Sequence, residues 1–269
     1  MDQLSTMPPP LPPEIFDLIV DFLHDETDAL KACCIVSKPW VHRSRKHLFA
    51  RVEFTPESPF KLWQEAFPDP SNSPARYTRS LLIHTSEAVT LVDVGVDDWI
   101  RTFRGVVRLH LEIFDSSISL APLHGLSPTL KSLRIDYEFS VRSPEIFRLV
   151  CSFPLLKDLA LDSPDNTSEV NEWDIPLTSP KLTGWLNLKM YGGISSAVRR
   201  LLELPGGLHF SKISVLCLEE DVESMTHLVS RCSDTLESLS IGYYFVGAHL
   251  LSAVVVGQYL TAIFWRSWE

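Results

Sequence analysis

The sequence predicts an α/β fold: a triplet of short N-terminal helices, then a solenoid of short parallel strands alternating with helices. Three observations carry this. Leucine accounts for 38 of 269 residues, and many of these leucines recur as apolar-x-x-Leu-x-Leu or -Ile at intervals of two to three dozen residues. Apolar residues between 15 and 40 follow helical spacing instead. Ten of the 19 prolines fall in two short stretches, 8–13 and 56–74, on either side of the helical segment.

The chain begins MDQLSTMPPPLPP, with neither a basic start nor an apolar run, so it does not resemble a secretory signal. Residues 1–10 read as a disordered tail. Pro12 and Pro13 suit the first turn of a helix, where amides lack partners anyway, and Glu14 suits its positive start. Ile15, Leu18, Ile19, Phe22 and Leu23 then form one apolar stripe. Asp28 is the expected N-cap of a second helix ending at Val36. Ser37 is the expected cap of a third, with Pro39 in its first turn and the basic residues Arg43, Arg45, Lys46 and His47 near its C-terminal end. Three short helices bury little surface alone, which points to an intermolecular use of the apolar stripes.

The runs LPPEIFDLIVDFL, LKACCIVSKPW and HLF resemble an F-box. The matching positions are Leu11, Pro12, Glu14, Ile15, Ile19, Leu23, Leu30, Val36, Ser37 and Trp40, and Pro39 within the Val-Ser-x-x-Trp piece is a departure. The resemblance covers residues 11–54 at most. It implies docking on the Skp-type adaptor of a cullin ubiquitin ligase, through Leu11, Pro12, Ile15, Ile19, Leu30, Val36 and Trp40.

Residues 55–76 read as a proline-rich linker. Phe60, Trp63 and Phe67 recur inside it at helical spacing, so a short helix packed on the following domain is expected rather than a free tether.

From 77 to 269 the leucines are periodic. The pairs are Leu81/Ile83, Leu109/Leu111, Leu133/Ile135, Leu159/Leu161, Leu186/Leu188, Leu216/Leu218 and Leu239/Ile241. In x-Leu-x-Leu-x both leucines point to one face of a strand. A single strand cannot bury them, and stacked neighbours make a continuous core. The copy beginning at Leu182 is offset by one residue, which suggests a bulge. Helices are expected at 97–103, 144–153, 195–204 and 222–232. These copies resemble degenerate leucine-rich repeats, without the Asn or Cys that closes regular ones.

The residues flanking each leucine pair should line the open face. Candidate substrate-binding residues there are Arg108, Arg134, Asp136, Asp158, Asp162 and Trp185, the last as an aromatic anchor. Val215, Cys217 and Glu219 are assigned to the same face. Its mildly acidic balance favours a basic or neutral protein ligand over a phosphopeptide.

The net charge of −10 argues against nucleic-acid binding. Five cysteines, an odd number with no CxxC pair, fit a reduced interior, cytoplasmic or nuclear, and give no zinc motif or disulfide framework. No nucleophile elbow, P-loop, dinucleotide fingerprint or zinc-protease motif occurs, so neither enzymatic activity nor a cofactor nor a metal is expected. The stretch 241–265 contains no Asp, Glu, Lys or Arg. It reads either as a buried final helix or cap, or as a membrane anchor through 245–265. Taken together, the expectation is a substrate-recognition adaptor of a Skp-cullin-F-box ubiquitin ligase. The alternative is an F-box scaffold outside ubiquitin ligation, membrane-anchored at its C-terminal end.

Overall fold

The computed structural model describes residues 12–56, 60–85, 96–114, 119–137, 143–162, 185–191, 198, 201, 209–218, 222–244, 250–256 and 259–263. Leu11, the 1–10 tail, Leu182 and most of the helix expected at 195–204 lie outside them.

Three helices come first: α1 (Pro13–Phe22), α2 (Thr27–Val36) and α3 (Lys38–Leu48). Pro13 opens α1, as the first-turn tolerance for proline predicts. Ser37 occupies the cap position of α3 with an extended backbone, although its hydroxyl makes no capping bond. Asp28 does not cap α2. The Leu30 amide already donates to the Glu26 carbonyl at 2.9 Å, so the helix begins before Asp28. The Asp28 carboxylate instead accepts a bond from Lys31 at 3.2 Å. Val20, Leu30 and Cys33 form the small interior of the triplet, and Phe16 packs on Trp40 at a ring separation of 5.5 Å.

A ten-stranded sheet follows, with strands in sequence order. They are β1 (Arg51–Phe54), β2 (Ser80–Thr85), β3 (Arg108–Ile113), β4 (Ser132–Tyr137), β5 (Asp158–Asp162), β6 (Trp185–Tyr191), β7 (His209–Leu218), β8 (Ser238–Tyr244), β9 (Leu250–Val256) and β10 (Tyr259–Ile263). β1 to β8 pair in parallel. β9 and β10 pair antiparallel to their neighbours. Parallel neighbours need a crossover of a dozen or more residues. The two- to three-dozen-residue leucine interval supplies this length.

The crossovers carry α4 (Phe60–Ala66), α5 (Val96–Ile100), α6 (Ser143–Cys151) and α7 (Val222–Cys232). Their inward residues, among them Trp99, Ile100, Ile146, Phe147, Leu149, Val150 and Leu228, pack with the buried face of the sheet in one core. On the sheet side Leu81, Ile83, Leu109, Leu111, Leu133, Ile135, Leu159, Leu161, Leu186 and Leu188 are all buried. Each contributes about 1.5–3 kcal/mol of transfer free energy relative to exposure.

The start of each strand is tied by the main chain. The Ala50 carbonyl accepts from the amides of Arg79 and Ser80, and the Arg79 carbonyl accepts from Val107 and Arg108. The Val107 carbonyl accepts from Lys131 and Ser132, and that of Lys131 from Lys157 and Asp158. All eight bonds measure 2.8–3.0 Å.

Four sequence expectations are revised. Arg51–Phe54, assigned with the helices, is the first strand of the sheet, paired with Ser80–Ile83. The repeat register shifts after β5: Leu159 pairs with Leu188, Leu188 with Ile213, and Ile213 with Leu239. Leu188 and Ile213 are therefore the equivalents of Leu159, in place of Leu186 and Leu216. For β7 the cause is a register break at Leu186/Asn187, where Phe210 and Lys212 are the partners and Ser211 is the extra residue; the Leu159–Leu188 pairing is set separately, between β5 and β6. The sequence placed a bulge in this region but did not carry its effect into β7. As a result Val215 is buried, facing the core rather than the open face. Lastly, of the helix, cap or membrane anchor read into the final stretch, the helix does not appear among the described residues: 250–256 and 259–263 are strands. Among the described residues no helix is long and apolar enough to cross a membrane.

The proline-rich segment packs as expected. Phe60 and Trp63 of α4, with Phe67 just beyond it, meet Phe49, Phe54, Trp99 and Phe103 in one aromatic cluster, with centroid separations of 4.9–6.3 Å. Most of these contacts are edge-on, the arrangement that ring quadrupoles favour. His42 of α3 also contacts Tyr77, and the Tyr77 hydroxyl lies 3.0 Å from His42 Nδ1.

Candidate interaction surfaces

Two surfaces carry exposed chemistry. The first belongs to the helix triplet. Leu18 and Phe22 on α1 and Ile35 and Val36 at the end of α2 are exposed, Phe22 and Ile35 each at 86%. Ile15 and Ile19 continue the α1 stripe at 40% and 43% exposure. Scattered exposed apolar residues are ordinary, but a stripe on one helix marks a surface that excludes water when covered.

The scaffold beneath the stripe is polar and specific. Asp21 of α1 accepts a bond from Arg43 Nε at 2.6 Å and pairs with Arg43 Nη2 as well. Its Oδ1 also lies 2.7 Å from His47 Nε2. These bonds, Arg43 first and His47 second, hold the Asp21 carboxyl well below the usual carboxylate range. The bridge ties α1 to α3 and thereby sets the direction in which Ile15, Leu18, Ile19 and Phe22 project.

The residues expected on this surface divide in two. Pro12, Ile15, Ile19 and Val36 are exposed. Leu30 is 1% exposed and lies inside the triplet, so it supports the surface instead of lining it. Trp40 is half-buried against Phe16. Leu18, Phe22 and Ile35 were not among the expected docking residues. Leu18 and Phe22 stand in the stripe that the helical period reveals, whereas Ile35 lies within the LKACCIVSKPW run but is not one of its matching positions.

The second surface is the open face of the sheet. Parallel register aligns its residues in rows: Leu82, His110, Arg134, Ala160 and Lys189 in one, and His84, Glu112, Asp136, Asp162 and Tyr191 in the next. Arg108 and Asp158 flank these rows and are exposed. Asp158 accepts from Asn187 Nδ2 at 2.8 Å, and Ser211 donates to Asn187 Oδ1 at 3.1 Å, so the bulge residue is tied to the face. Trp185 lies on β6, with its side chain outside the described residues.

The centre of the face is a continuous polar network. His84 Nδ1 lies 2.9 Å from Glu112 Oε2. His110 Nε2 lies 2.7 Å from Asp136 Oδ2 and 3.7 Å from Glu112 Oε1. Arg134 Nε donates to both Asp136 oxygens, at 2.8 and 3.0 Å, and its Nη2 stands 3.9 Å from Asp162. Burial pushes the Asp162 carboxyl up, and the Asp136 carboxylate adds to this. One ligand atom each from His110, Glu112 and Asp136 lies within 4.8 Å of the others.

The sequence placed Arg134, Asp136 and Asp162 on this face, and the register brings them together. It missed His84, His110 and Glu112 as members of a cluster, because the contacts of His84 with Glu112 and of His110 with Asp136 form only across strands. Compared with protein-family models and with curated proteins, the chain matches none.

Proposed function

We propose that the chain is a substrate-recognition adaptor of a Skp-cullin-F-box type ubiquitin ligase. The helix triplet 12–48 would dock on the Skp-type subunit, and the open face of the sheet would hold a protein substrate. The single observation that carries this reading is the exposed apolar stripe of Ile15, Leu18, Ile19 and Phe22, joined by Ile35 and Val36, on a segment whose LPPEI and VSKPW runs resemble an F-box. Such a stripe fits a groove that reads a helix at i, i+3, i+4 and i+7. The Asp21–Arg43–His47 bridge supports it by fixing the stripe before any partner arrives.

In this reading the leucine pairs make a leucine-rich-repeat-like solenoid, and Arg108, Arg134, Asp136, Asp158, Asp162 and Trp185 belong to the substrate surface. Bond-making belongs to the partners, and the chain contributes proximity.

Capture of the purified Skp-type subunit by the full chain tests the reading. Ile15→Asp and Pro12→Asp should abolish capture while the far-ultraviolet circular dichroism spectrum stays native. Capture that survives both substitutions would remove the docking assignment. Cullin-dependent ubiquitin transfer to a protein held by the sheet then tests the ligase role.

A further inference from the structure

We propose that His110, Glu112 and Asp136 form a binding site for a divalent transition-metal cation of the zinc type, open to solvent on the exposed face of the sheet. The donor set is one imidazole nitrogen and two carboxylate oxygens, which zinc accepts readily. The backbone places these groups without strain: Glu112 and Asp136 are register partners on β3 and β4, and His110 reaches Asp136 along the diagonal.

The distances suit an ion. Zinc bound at about 2.0–2.2 Å holds neighbouring donors about 3.4 Å apart in a tetrahedral shell. The separations from His110 Nε2, 2.7 Å to Asp136 and 3.7 Å to Glu112, bracket that value. All three donor atoms lie within 4.8 Å of one another.

Each carboxylate is also oriented from outside the cluster. His84 engages Glu112 Oε2, leaving Oε1 turned toward His110. Arg134 holds Asp136 by both oxygens. Outer partners of this kind fix the direction of ligand lone pairs in metal sites. Charge agrees as well. Glu112, Asp136 and Asp162 outweigh Arg134, so the cluster is formally −2 with neutral imidazoles, matching a divalent cation.

Three protein ligands leave a coordination position facing away from the sheet. A carboxylate, imidazole or thiolate from a molecule on the open face could complete the shell.

The test uses the full chain, stripped with chelator and then titrated with zinc by calorimetry, with metal content measured after dialysis. One equivalent should bind. His110→Ala and the shape-preserving Glu112→Gln should each lose that equivalent or weaken it by at least about tenfold, and His84→Ala should weaken it by roughly tenfold. Cobalt in place of zinc should give a visible absorption band that His110→Ala removes. All three variants lie on an exposed face, and a native melting curve confirms their fold. Absence of stoichiometric binding by the unaltered chain would overturn the proposal. So would unchanged affinity in His110→Ala and Glu112→Gln, because the ion would then sit elsewhere.

Discussion

Replacing Phe22 and Leu30 separates the residues that present the helical surface from those that build it. Phe22 is 86% exposed and Leu30 is 1% exposed. A phenylalanine side chain offers about 200 Å² of surface. In the free chain roughly 30 Å² of that is covered, worth about 0.7 kcal/mol at 25 cal/mol per Å². Phe22→Ala should therefore leave the urea midpoint of the free chain nearly unchanged. A partner that covers the remaining surface, about 170 Å², gains about 4 kcal/mol from this one ring before ordering costs. Leu30→Ala should behave in the opposite way, costing about 2–5 kcal/mol through lost transfer energy and a cavity. The assay is urea unfolding followed by circular dichroism, with capture of the Skp-type subunit measured on the same variants under native conditions. Phe22→Ala should keep its midpoint and lose capture, whereas Leu30→Ala should lose its midpoint first. A destabilisation above about 2 kcal/mol for Phe22→Ala, or a neutral Leu30→Ala, would refute the division of the triplet into a presented face and a supporting interior.

Asp21→Asn should destabilise the triplet by about 1 kcal/mol near neutral pH, a small figure because the bridge is partly exposed to solvent. Its carboxyl is depressed in the folded chain, so its stabilisation is present above the unfolded value of about 3.9 and is lost as pH falls through the folded value. Urea midpoints at pH 7 and pH 3 should thus fall less in Asp21→Asn than in the unaltered chain, and equal falls would count against the bridge. Gly105→Ala would bring a Cβ to 2.9 Å from the Arg76 carbonyl oxygen and 3.0 Å from that of Thr78. Main chain cannot yield cheaply there, so a loss of about 1–3 kcal/mol is expected, and an unchanged melting temperature would contradict it. Burial pushes the thiols of Cys151 and Cys232 up to about 12 and about 11. Both should resist alkylation at pH 8 until urea unfolds the chain, which peptide mapping of the labelled protein reads directly.

The helices were legible because their apolar residues keep a strict period: Ile15, Leu18, Ile19 and Phe22 allow one reading. The strands from β2 to β5 were legible for the same reason, since alternation at Leu109/Leu111 or Leu133/Ile135 has no competing register. The reading failed at β7, where Ile213, Val215, Leu216 and Leu218 offer two alternations, and the choice between them depends on the extra Ser211 opposite β6. It left 250–263 open between helix, cap and anchor, because a long apolar run suits a helix or strands equally and its pairing with β8 has no local signal. Arg51–Phe54 was missed as a strand because four residues are too few to show a period. The polar cluster was hidden for a different reason. His84, His110 and Asp136 stand more than two dozen residues apart in pairs, and a spacing search finds ligands only when they share one turn or loop. Parallel register converts that separation into contact.

The main-chain bonds that tie the strand starts have an evolutionary consequence. The carbonyls of residues 50, 79, 107 and 131 do equivalent work at successive strands, yet those positions are Ala50, Arg79, Val107 and Lys131. A small apolar residue, two different cations and a β-branched one serve alike, because the acceptor is the peptide group that all share. Selection for strand alignment therefore has no side chain to preserve at these places. Mutations there can accumulate with little penalty while the stacking persists, and the lineage can lose its residue signature faster than its architecture.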